Sequence, residues 1–578
     1  MTPFAEQTLH VDFCVVGGGL AGLCAAVAAA RNGLRVALVH DRPMLGGNAS
    51  SEIRMWISGA RGKGVRETGI LEEIHMRNFY RNPYKNYSIW DSILYEMVKE
   101  EPAIQLLLNT TCLDGTMEAC RLSSVRCWQM TTQTYYTIEA ALFSDCSGDS
   151  VLAPITNALF RHGREARATY SESFGPQRDD AETMGNSILI QGREYSETRN
   201  FTAPDWAEKL SLDMLHKRIP DLNDPAENFW YLELGGKGNT ITDAESIRDD
   251  LLALAYGMWD FVKNDPSQKE KNKHFDLDWI GFLPGKRESR RYIGDYTLTE
   301  CDITNQRHFD DVVAYGGWPM DDHQSGGFRA SGEEPNVFHP APSPFEIPYR
   351  CLYSVNVENL FCAGRNISVS HAAFSATRVM ATCALLGQAV GTAAALCRNT
   401  PRSIDIDELQ QRLLDQDCYL PNCKRRVSLL TKEATLSSTQ PIDRENLRSG
   451  DDRQGGWKGK AGDRITYTLK EPRSIHDVRL IFDSDLERTT LPQDGLCRNM
   501  GSNYLLSYQP HYVPRTLIKS FELTLREKSG KIETLTFTRN LKRYVSIPIQ
   551  RESIREVTLT PLSTWGEEVC TVVSFEVR

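Results

Sequence analysis

The sequence predicts an α/β chain: a parallel-sheet nucleotide domain of Rossmann-like type, interrupted by an α+β insertion and followed by an antiparallel β-sandwich. Three observations predict it. A strand, a glycine-rich turn, a helix and a second strand follow one another over residues 11–42. A late strand and glycine turn, Asn359–Arg365, runs on into a long helix rich in small residues. Beyond Leu430 the apolar pattern changes to the two-residue alternation of strands with one buried face.

In the first unit, Val11-Asp12-Phe13-Cys14-Val15-Val16 is an apolar run of strand type. Gly17-Gly18-Gly19-Leu20-Ala21-Gly22 follows at once and puts Gly17, Gly19 and Gly22 in the spacing G-x-G-x-x-G. The first glycine permits a tight turn, the second lets backbone approach a pyrophosphate, and the third lets the helix pack close to the strand. The start of the helix, with Leu20 and Ala21, offers unpaired N–H groups and the positive end of a dipole to phosphates. Gly33 ends the helix, and Leu34–Val39 is the second strand. A ribose-binding acid is expected at the end of that strand. His40 and Asp41 are the candidates, with Arg42 beside them, and Asp41 is preferred because it follows Gly22 at close to the usual spacing of roughly 20 residues. The unit predicts dinucleotide binding, and by itself it does not choose between NAD and FAD.

Three further segments bear on that choice. Leu45-Gly46-Gly47-Asn48-Ala49-Ser50-Ser51-Glu52 follows the first unit, Ser144-Asp145-Cys146-Ser147-Gly148-Asp149 comes later, and Asn359-Leu360-Phe361-Cys362-Ala363-Gly364-Arg365 closes the series. Together they resemble the FAD-dependent oxidoreductases of the glutathione-reductase-like, two-domain type. The middle segment is similar to that family's Asp-x-Thr-Gly-Asp, with Ser147 in place of threonine. The resemblance implies FAD as cofactor, held by Gly46, Gly47, Asn48, Ser51, Gly148, Asp149 and Gly364 in addition to the first unit. Many relatives end the last motif in an aspartate that binds the ribityl chain. Here Arg365 stands in that place, and Arg365 or Asn366 is expected at the flavin, with pairing of Arg365 to a wall carboxylate as the alternative.

The order of elements predicts four segments. Residues 1–160 form the first part of the FAD-binding domain, with helices at Gly69–Met76 and Ile89–Lys99 and strands at Ile104–Leu108 and Tyr135–Phe143. Residues 161–350 are the insertion, which the resemblance makes substrate-facing, with helices near Trp206–Leu215 and Ala244–Lys263. Residues 351–430 return to the nucleotide domain through a helix at Ser375–Cys397. Residues 431–578 form the sandwich, expected to fold and to be removable on its own. By pattern it looks like the galactose-binding jelly rolls attached to carbohydrate enzymes. Its expected role is a brace or a homo-oligomer interface, with stacking of sugar on Trp457 and Trp565 as the alternative.

Composition narrows the function. A net charge of −10 lacks the basic excess of a nucleic-acid binder. The longest apolar stretch, Ala381–Leu396, is broken by Thr382, Gln388 and Thr392 and reads as a buried helix, so no membrane is expected as a partner. The 15 cysteines show no CxxC pair and no zinc-type spacing, and Met1–His10 shows no secretory pattern. The expected location is cytoplasmic.

The stretch Gly46–Trp56 has no cysteine, which removes the dithiol chemistry of disulfide reductases, and no second G-x-G-x-x-G lies between Gly163 and Gly327. Direct hydride exchange between a small polar substrate and flavin N5 remains, with an electron acceptor that the sequence does not name. The expected catalytic groups are His371, in Ser368-Val369-Ser370-His371 after the last flavin turn, with Arg378 close behind it. Arg287 and Arg290 join them from the cluster Gly285–Arg291, which resembles the family's Arg-Glu-Ser-Arg element. An imidazole moves a proton near neutral pH and arginines hold an anion or a developing oxyanion. His323, in Met320-Asp321-Asp322-His323, is the reserve base, and without further spaced ligands no metal is expected there. Two other readings stay open: a redox-neutral isomerase or hydratase that keeps its flavin, and a flavin-holding carbohydrate-binding protein without turnover. The sandwich is the reason for favouring a sugar or sugar acid as substrate.

Overall fold

The computed structural model describes residues 4–330, 332–442, 444–453, 455–492 and 500–578. The chain divides into two compact units, each assembled from segments distant in sequence. The first takes Met1–Gly62, Lys85–Leu409 and Asp494–Gln509; the second takes Lys63–Tyr84, Gln410–Gln493 and Pro510–Arg578.

The first unit is built on β1 (Ala5–Val16), α1 (Leu20–Arg31) and β2 (Val36–Val39). Helix α2 (Tyr87–Lys99) leads to β3 (Ile104–Leu107), and a meander of β4 (Thr110–Glu118) and β5 (Arg121–Gln129) leads to β6 (Thr134–Asp145). The strands lie in the order β3-β2-β1-β6-β5-β4. β1 is parallel to both β2 and β6, and β2 to β3. The last residues of β6 take up a further parallel strand, β7 (Leu360–Cys362), as the late motif predicts. The wholly buried run of β2 suits a parallel strand covered on both faces.

The expected helix Ser375–Cys397 is two helices, α3 (His371–Thr377) and α4 (Met380–Leu396), set 93° apart. The chain turns where Val379 takes an extended conformation with ψ 145°. α4 packs against α1 almost backbone to backbone. A Cβ added at Gly387 or Gly391 would overlap the carbonyl oxygens of Ala21 or Ala25. The small residues of that helix therefore set the depth of the helix pair rather than a membrane span. Among the described residues no single helix is long and apolar enough to cross a membrane.

The inserted region holds short antiparallel pairs and one long helix, Ala244–Asn264, whose buried stripe of Leu251, Ala255, Met258 and Trp259 joins a core with Ile188, Phe229 and Phe275. The expected helix Trp206–Leu215 is only the single turn Leu212–Leu215, because Pro204 and Asp205 begin an irregular stretch. Residues 500–509, expected in the sandwich, belong to this unit: the Tyr504 amide donates to Gly192 O at 2.9 Å and Asn503 accepts from the Gly192 amide at 2.8 Å.

The second unit is an antiparallel β-sandwich. Its central strands are Ile465–Phe482 and Tyr544–Thr564. Their pairing is interrupted by register shifts between Thr468 and Asp477, and such bulges bend a strand and let one sheet fold over its own apolar face. The core includes Tyr467, Phe482, Phe521 and Phe575. Trp457 is core as well, 1% exposed with its Nε1 donating to Ser438 Oγ at 2.7 Å, so it offers no ring to a sugar. The helix Ile70–Arg81, expected in the nucleotide domain, supplies Met76 and Phe79 to this core. Its Glu72, fully buried, accepts from the Arg488 guanidinium at 2.5 Å and from Ser484 Oγ at 2.6 Å. The boundary expected at residue 430 therefore does not separate the units: apolar side chains and a buried ion pair tie residues 63–84 to the sandwich.

Candidate active site

The register of the parallel strands brings five loops to one edge. Val16 pairs with Val39 and with Asp145, Asp145 with Cys362, and Val39 with Leu107. The segments that follow them, beginning at Gly17, His40, Leu108, Cys146 and Ala363, all leave the carboxyl edge of the sheet, where open α/β sheets bind ligands. These loops line a cavity of about 540 Å³.

Gly17 has φ +108° and lies against the backbone of Cys146, and a Cβ on Gly22 would overlap the Gly17 carbonyl. Gly22 thus serves helix packing and does not line the cavity. Gly19, Leu20 and Ala21 do line it, and a Cβ added at Gly19 would meet nothing closer than Gly47 Cα at 3.9 Å. His40 is buried: its Nδ1 accepts from the Gly18 amide at 2.9 Å and its Nε2 faces Met44 O at 3.0 Å. Burial and the Arg42 charge push its pKa down to about 4, so it is a neutral clamp on the glycine turn. Asp41, by contrast, lines the cavity with a side chain that is 63% exposed. Arg42, Gly46, Gly47 and Asn48 line the cavity too, and Asn48 Nδ2 donates to Lys286 O at 3.0 Å. Ser51 does not; it lies one turn beyond, where its amide donates to Asp91 at 3.0 Å.

From the loops after β6 and β7, Gly148, Asp149, Gly364 and Arg365 line the cavity. Asp149 accepts from Arg365 at 2.6 Å, Lys286 at 2.8 Å and Ser289 at 2.9 Å. Burial opposes its charge, but Arg365 and Lys286 outweigh burial and hold the carboxyl down at about 2. Arg365 is thus paired with a wall carboxylate and packed flat on Gly148, with its Nε buried and lacking a hydrogen-bond partner. Asn366 sits behind the wall, its side chain donating to Asp145 at 3.3 Å.

The insertion supplies the other side of the cavity, from Trp230, Lys286, Arg287, Trp318, Asp321, His323, Asn336 and Phe338, joined by Arg378. A hairpin of Met320–His323 and Asn336–His339 fixes the centre, pairing His323 with Asn336. His323 Nδ1 donates to Glu233 Oε2 at 2.6 Å, since a carboxylate can only accept. Nε2 lies 3.4 Å from Asp321 Oδ2, a weaker contact. Arg287 pairs with Glu233 at 3.3 Å and Arg378 with Asp321 at 3.1 Å, while Asn336 donates to Asp321. Burial works against charge on both acids, yet Arg287 and His323 hold Glu233 below its ordinary value, and His323 and Arg378 do the same for Asp321. The result is an imidazole ring held between two ionised carboxylates on the cavity wall.

His371, expected at the flavin, does not reach the cavity. It opens α3 with Ser370 as N-cap and is enclosed by Glu288 (Nδ1, 3.0 Å) and Asp322 (Nε2, 3.3 Å). Burial disfavours its charge, but these carboxylates prevail and lift its pKa to about 10. It is a locked imidazolium, without a free nitrogen for a substrate. Arg290 also misses the cavity and lies over the Phe160 ring at 5.3 Å. Within the basic cluster, Lys286 and Arg287 face the cavity, whereas Glu288 and Arg291 pair with each other in the buried network around His371. Reasoning from sequence missed Glu233, Asp321, Asn336, Trp230 and Trp318. Glu233 carried a signal, as a lone acid in the apolar run Trp230–Leu234.

The model of the FAD dependent oxidoreductase family matches residues 12–413, more than half of the chain. The chain belongs to that family. Its cofactor is FAD, and the cavity fits it: a glycine turn with open space at Gly19, a helix N-terminus, an exposed acid at the end of β2, and an unsatisfied buried N–H group at Arg365. No curated protein matches the sequence. Among solved structures, a geranylgeranyl bacteriochlorophyll reductase-like protein from Thermoplasma acidophilum is 10% identical with a TM-score of 0.31, over 71% of this chain and 85% of that one. L-proline dehydrogenase from P. horikoshii is 18% identical with a TM-score of 0.17, and the match covers 25% of this chain and only 23% of that one. The family 32 carbohydrate-binding module of Streptococcus pneumoniae EndoD is 14% identical with a TM-score of 0.20, over 26% of this chain and 99% of the module. Likenesses this distant carry no argument about substrate, and the flavoprotein's chemistry is read from its own residues.

Proposed function

We propose that this flavoprotein oxidises a hydroxyl-bearing small polar molecule, a sugar or a sugar acid, by hydride exchange with flavin N5. The observation that carries the reading is that one cavity is lined both by the nucleotide-binding loops and by His323, which Glu233 holds from behind. Gly19, Leu20, Ala21, Asp41, Arg42, Gly46, Gly47, Asn48, Gly148, Asp149, Gly364 and Arg365 would hold the cofactor. Bound FAD supplies a two-electron acceptor for the hydride leaving the carbinol carbon.

The chain's own residues manage the proton and the charge. His323 Nε2 takes the hydroxyl proton as the carbonyl forms, and Glu233 fixes the tautomer by holding Nδ1–H and stabilises the resulting imidazolium. Arg287 and Arg378, anchored by Glu233 and Asp321, favour negative charge on the substrate oxygen. Trp230, Trp318 and Phe338 give apolar surface to a ring face, while Asn336 and His323 provide polar contacts, a mixture suited to a hydroxylated ring. The proposed location is cytoplasmic, supported by the free thiols at the described cysteines.

Anaerobic mixing of the holoenzyme with a panel of sugars and sugar acids tests the reading. Bleaching of the flavin by one of them, slowed ~10²-fold or more in His323→Asn with FAD still bound, is expected. Turnover without bleaching would favour the isomerase reading, and inertness to the whole panel the non-catalytic one.

A further inference from the structure

Five of the cationic side chains on the cavity wall have carboxylate partners. Arg42 lies 3.6 Å from Glu52, Lys286 2.8 Å and Arg365 2.6 Å from Asp149, Arg287 3.3 Å from Glu233 and Arg378 3.1 Å from Asp321. Arg61 lines the same cavity and has no carboxylate partner among the described residues. Its guanidinium lies instead over the Trp318 ring, 4.1 Å from the centroid, and 5.7 Å from that of Phe338.

The placement is built by the main chain. The Arg61 amide donates to Gly317 O at 3.0 Å, and a Cβ at Gly317 would overlap Ser343 Oγ and crowd Ala60, so a glycine is needed for the two segments to approach. Trp318 Nε1 is buried beside this arginine without a hydrogen-bond partner. A guanidinium stacked on an indole keeps its in-plane N–H groups, and those groups match the two oxygens of a carboxylate. One uncompensated cation and one unsatisfied indole N–H thus stand together on aromatic surface at the cavity.

We propose that Arg61 and Trp318 bind the carboxylate of the substrate, which makes the substrate a sugar acid rather than a neutral sugar. This rests on the function proposed above and narrows it. The carboxylate takes the Arg61 N–H edge, with the Trp318 Nε1–H as a further donor, and the carbinol is left for His323. A phosphate ester offers similar chemistry, but a planar bidentate fork on a single stacked arginine favours the carboxylate.

The test uses FAD-loaded protein, isothermal titration and three non-reacting probes: benzoate, benzamide and inorganic phosphate. Benzoate should bind at least ten-fold more tightly than benzamide, and phosphate should compete poorly. Arg61→Gln should weaken benzoate at least ten-fold while benzamide and flavin content stay unchanged, and Arg61→Lys should recover part of the loss. Equal binding of benzoate and benzamide, no binding of benzoate, or benzoate affinity unchanged in Arg61→Gln overturns the assignment. Phosphate binding as tightly as benzoate overturns the choice of carboxylate. None of these titrations depends on turnover. Failure of every sugar and sugar acid to bleach the flavin would sink the oxidase reading while leaving the anion site standing, and bleaching by a neutral sugar at the rate of its acid would do the reverse.

Discussion

Replacing His371 with glutamine should cost stability, in a pH-dependent way, while sparing the chemistry at the cavity. The side chain is 5% exposed and lies between Glu288, which is buried, and Asp322, which is half-buried. Removing one partner of a buried pair costs about 3–5 kcal/mol, and the Arg291 guanidinium that still pairs with Glu288 keeps the loss toward the lower end. The pH dependence follows from the raised pKa, about 10 in the folded protein against 6.5 ordinarily. Below pH 6.5 both states carry the proton and the stabilisation is complete. As pH rises toward 10 only the folded state keeps it, so stability falls by about 1.4 kcal/mol per pH unit for this one proton. Between pH 7 and 9 the advantage of the wild type over His371→Gln should therefore shrink by about 2.5 kcal/mol. Urea unfolding followed by the release of flavin fluorescence reads the first unit, and comparing two proteins at each pH cancels other titrating groups. A gap that stays constant with pH would refute the reasoning. So would a variant that unfolds at the wild-type urea concentration but has lost turnover, since His371 would then be acting on the substrate.

Gly19→Val should leave a folded, colourless protein by filling the open space at the turn, whereas Gly22→Val should yield little soluble protein because its Cβ overlaps the Gly17 carbonyl; absorbance at the flavin bands and solubility separate the two. Glu72→Gln should destabilise the second unit by about 3 kcal/mol by removing the buried carboxylate charge that Arg488 and Ser484 bind, read as a lower urea midpoint in Trp565 fluorescence. Truncation to residues 1–430, which the sequence suggests is harmless, should give insoluble protein: it strips Tyr504 from Gly192 in one unit and leaves Met76 and Phe79 uncovered in the other. Soluble, yellow 1–430 would contradict that. Glu233→Gln should lower flavin reduction by substrate ~10-fold or more with FAD content intact, because His323 loses the charge that stabilises its protonated form; an unchanged rate would remove the pair from the proton path.

Some of this protein was legible in the sequence because the signals are local. The turn Gly17–Gly22 works through backbone conformation and the absence of side chains over six residues, so its geometry travels with its spacing. The same holds for Leu360–Cys362, an apolar strand ahead of a glycine, and for the alternating strands after residue 430. The amphipathic stripe of Ile70–Arg81 announced a helix, but a stripe says only that something covers it. The covering core, with Leu480 and Phe521, is contributed some 400 residues later. The choice between His323 and His371 was equally beyond reach. Both are buried histidines held between two carboxylates, and what separates them is that His323 lines the cavity and His371 does not. At His371 both nitrogens are consumed by Glu288 and Asp322, which meet it only when the insertion folds against α3. At His323 the partners are Glu233 and Asp321, and the ring lies on the cavity wall. Sequence fixes which groups can ionise; the tertiary fold decides which of them find a partner, because Coulomb and hydrogen-bond energies depend on distances that chain spacing does not carry.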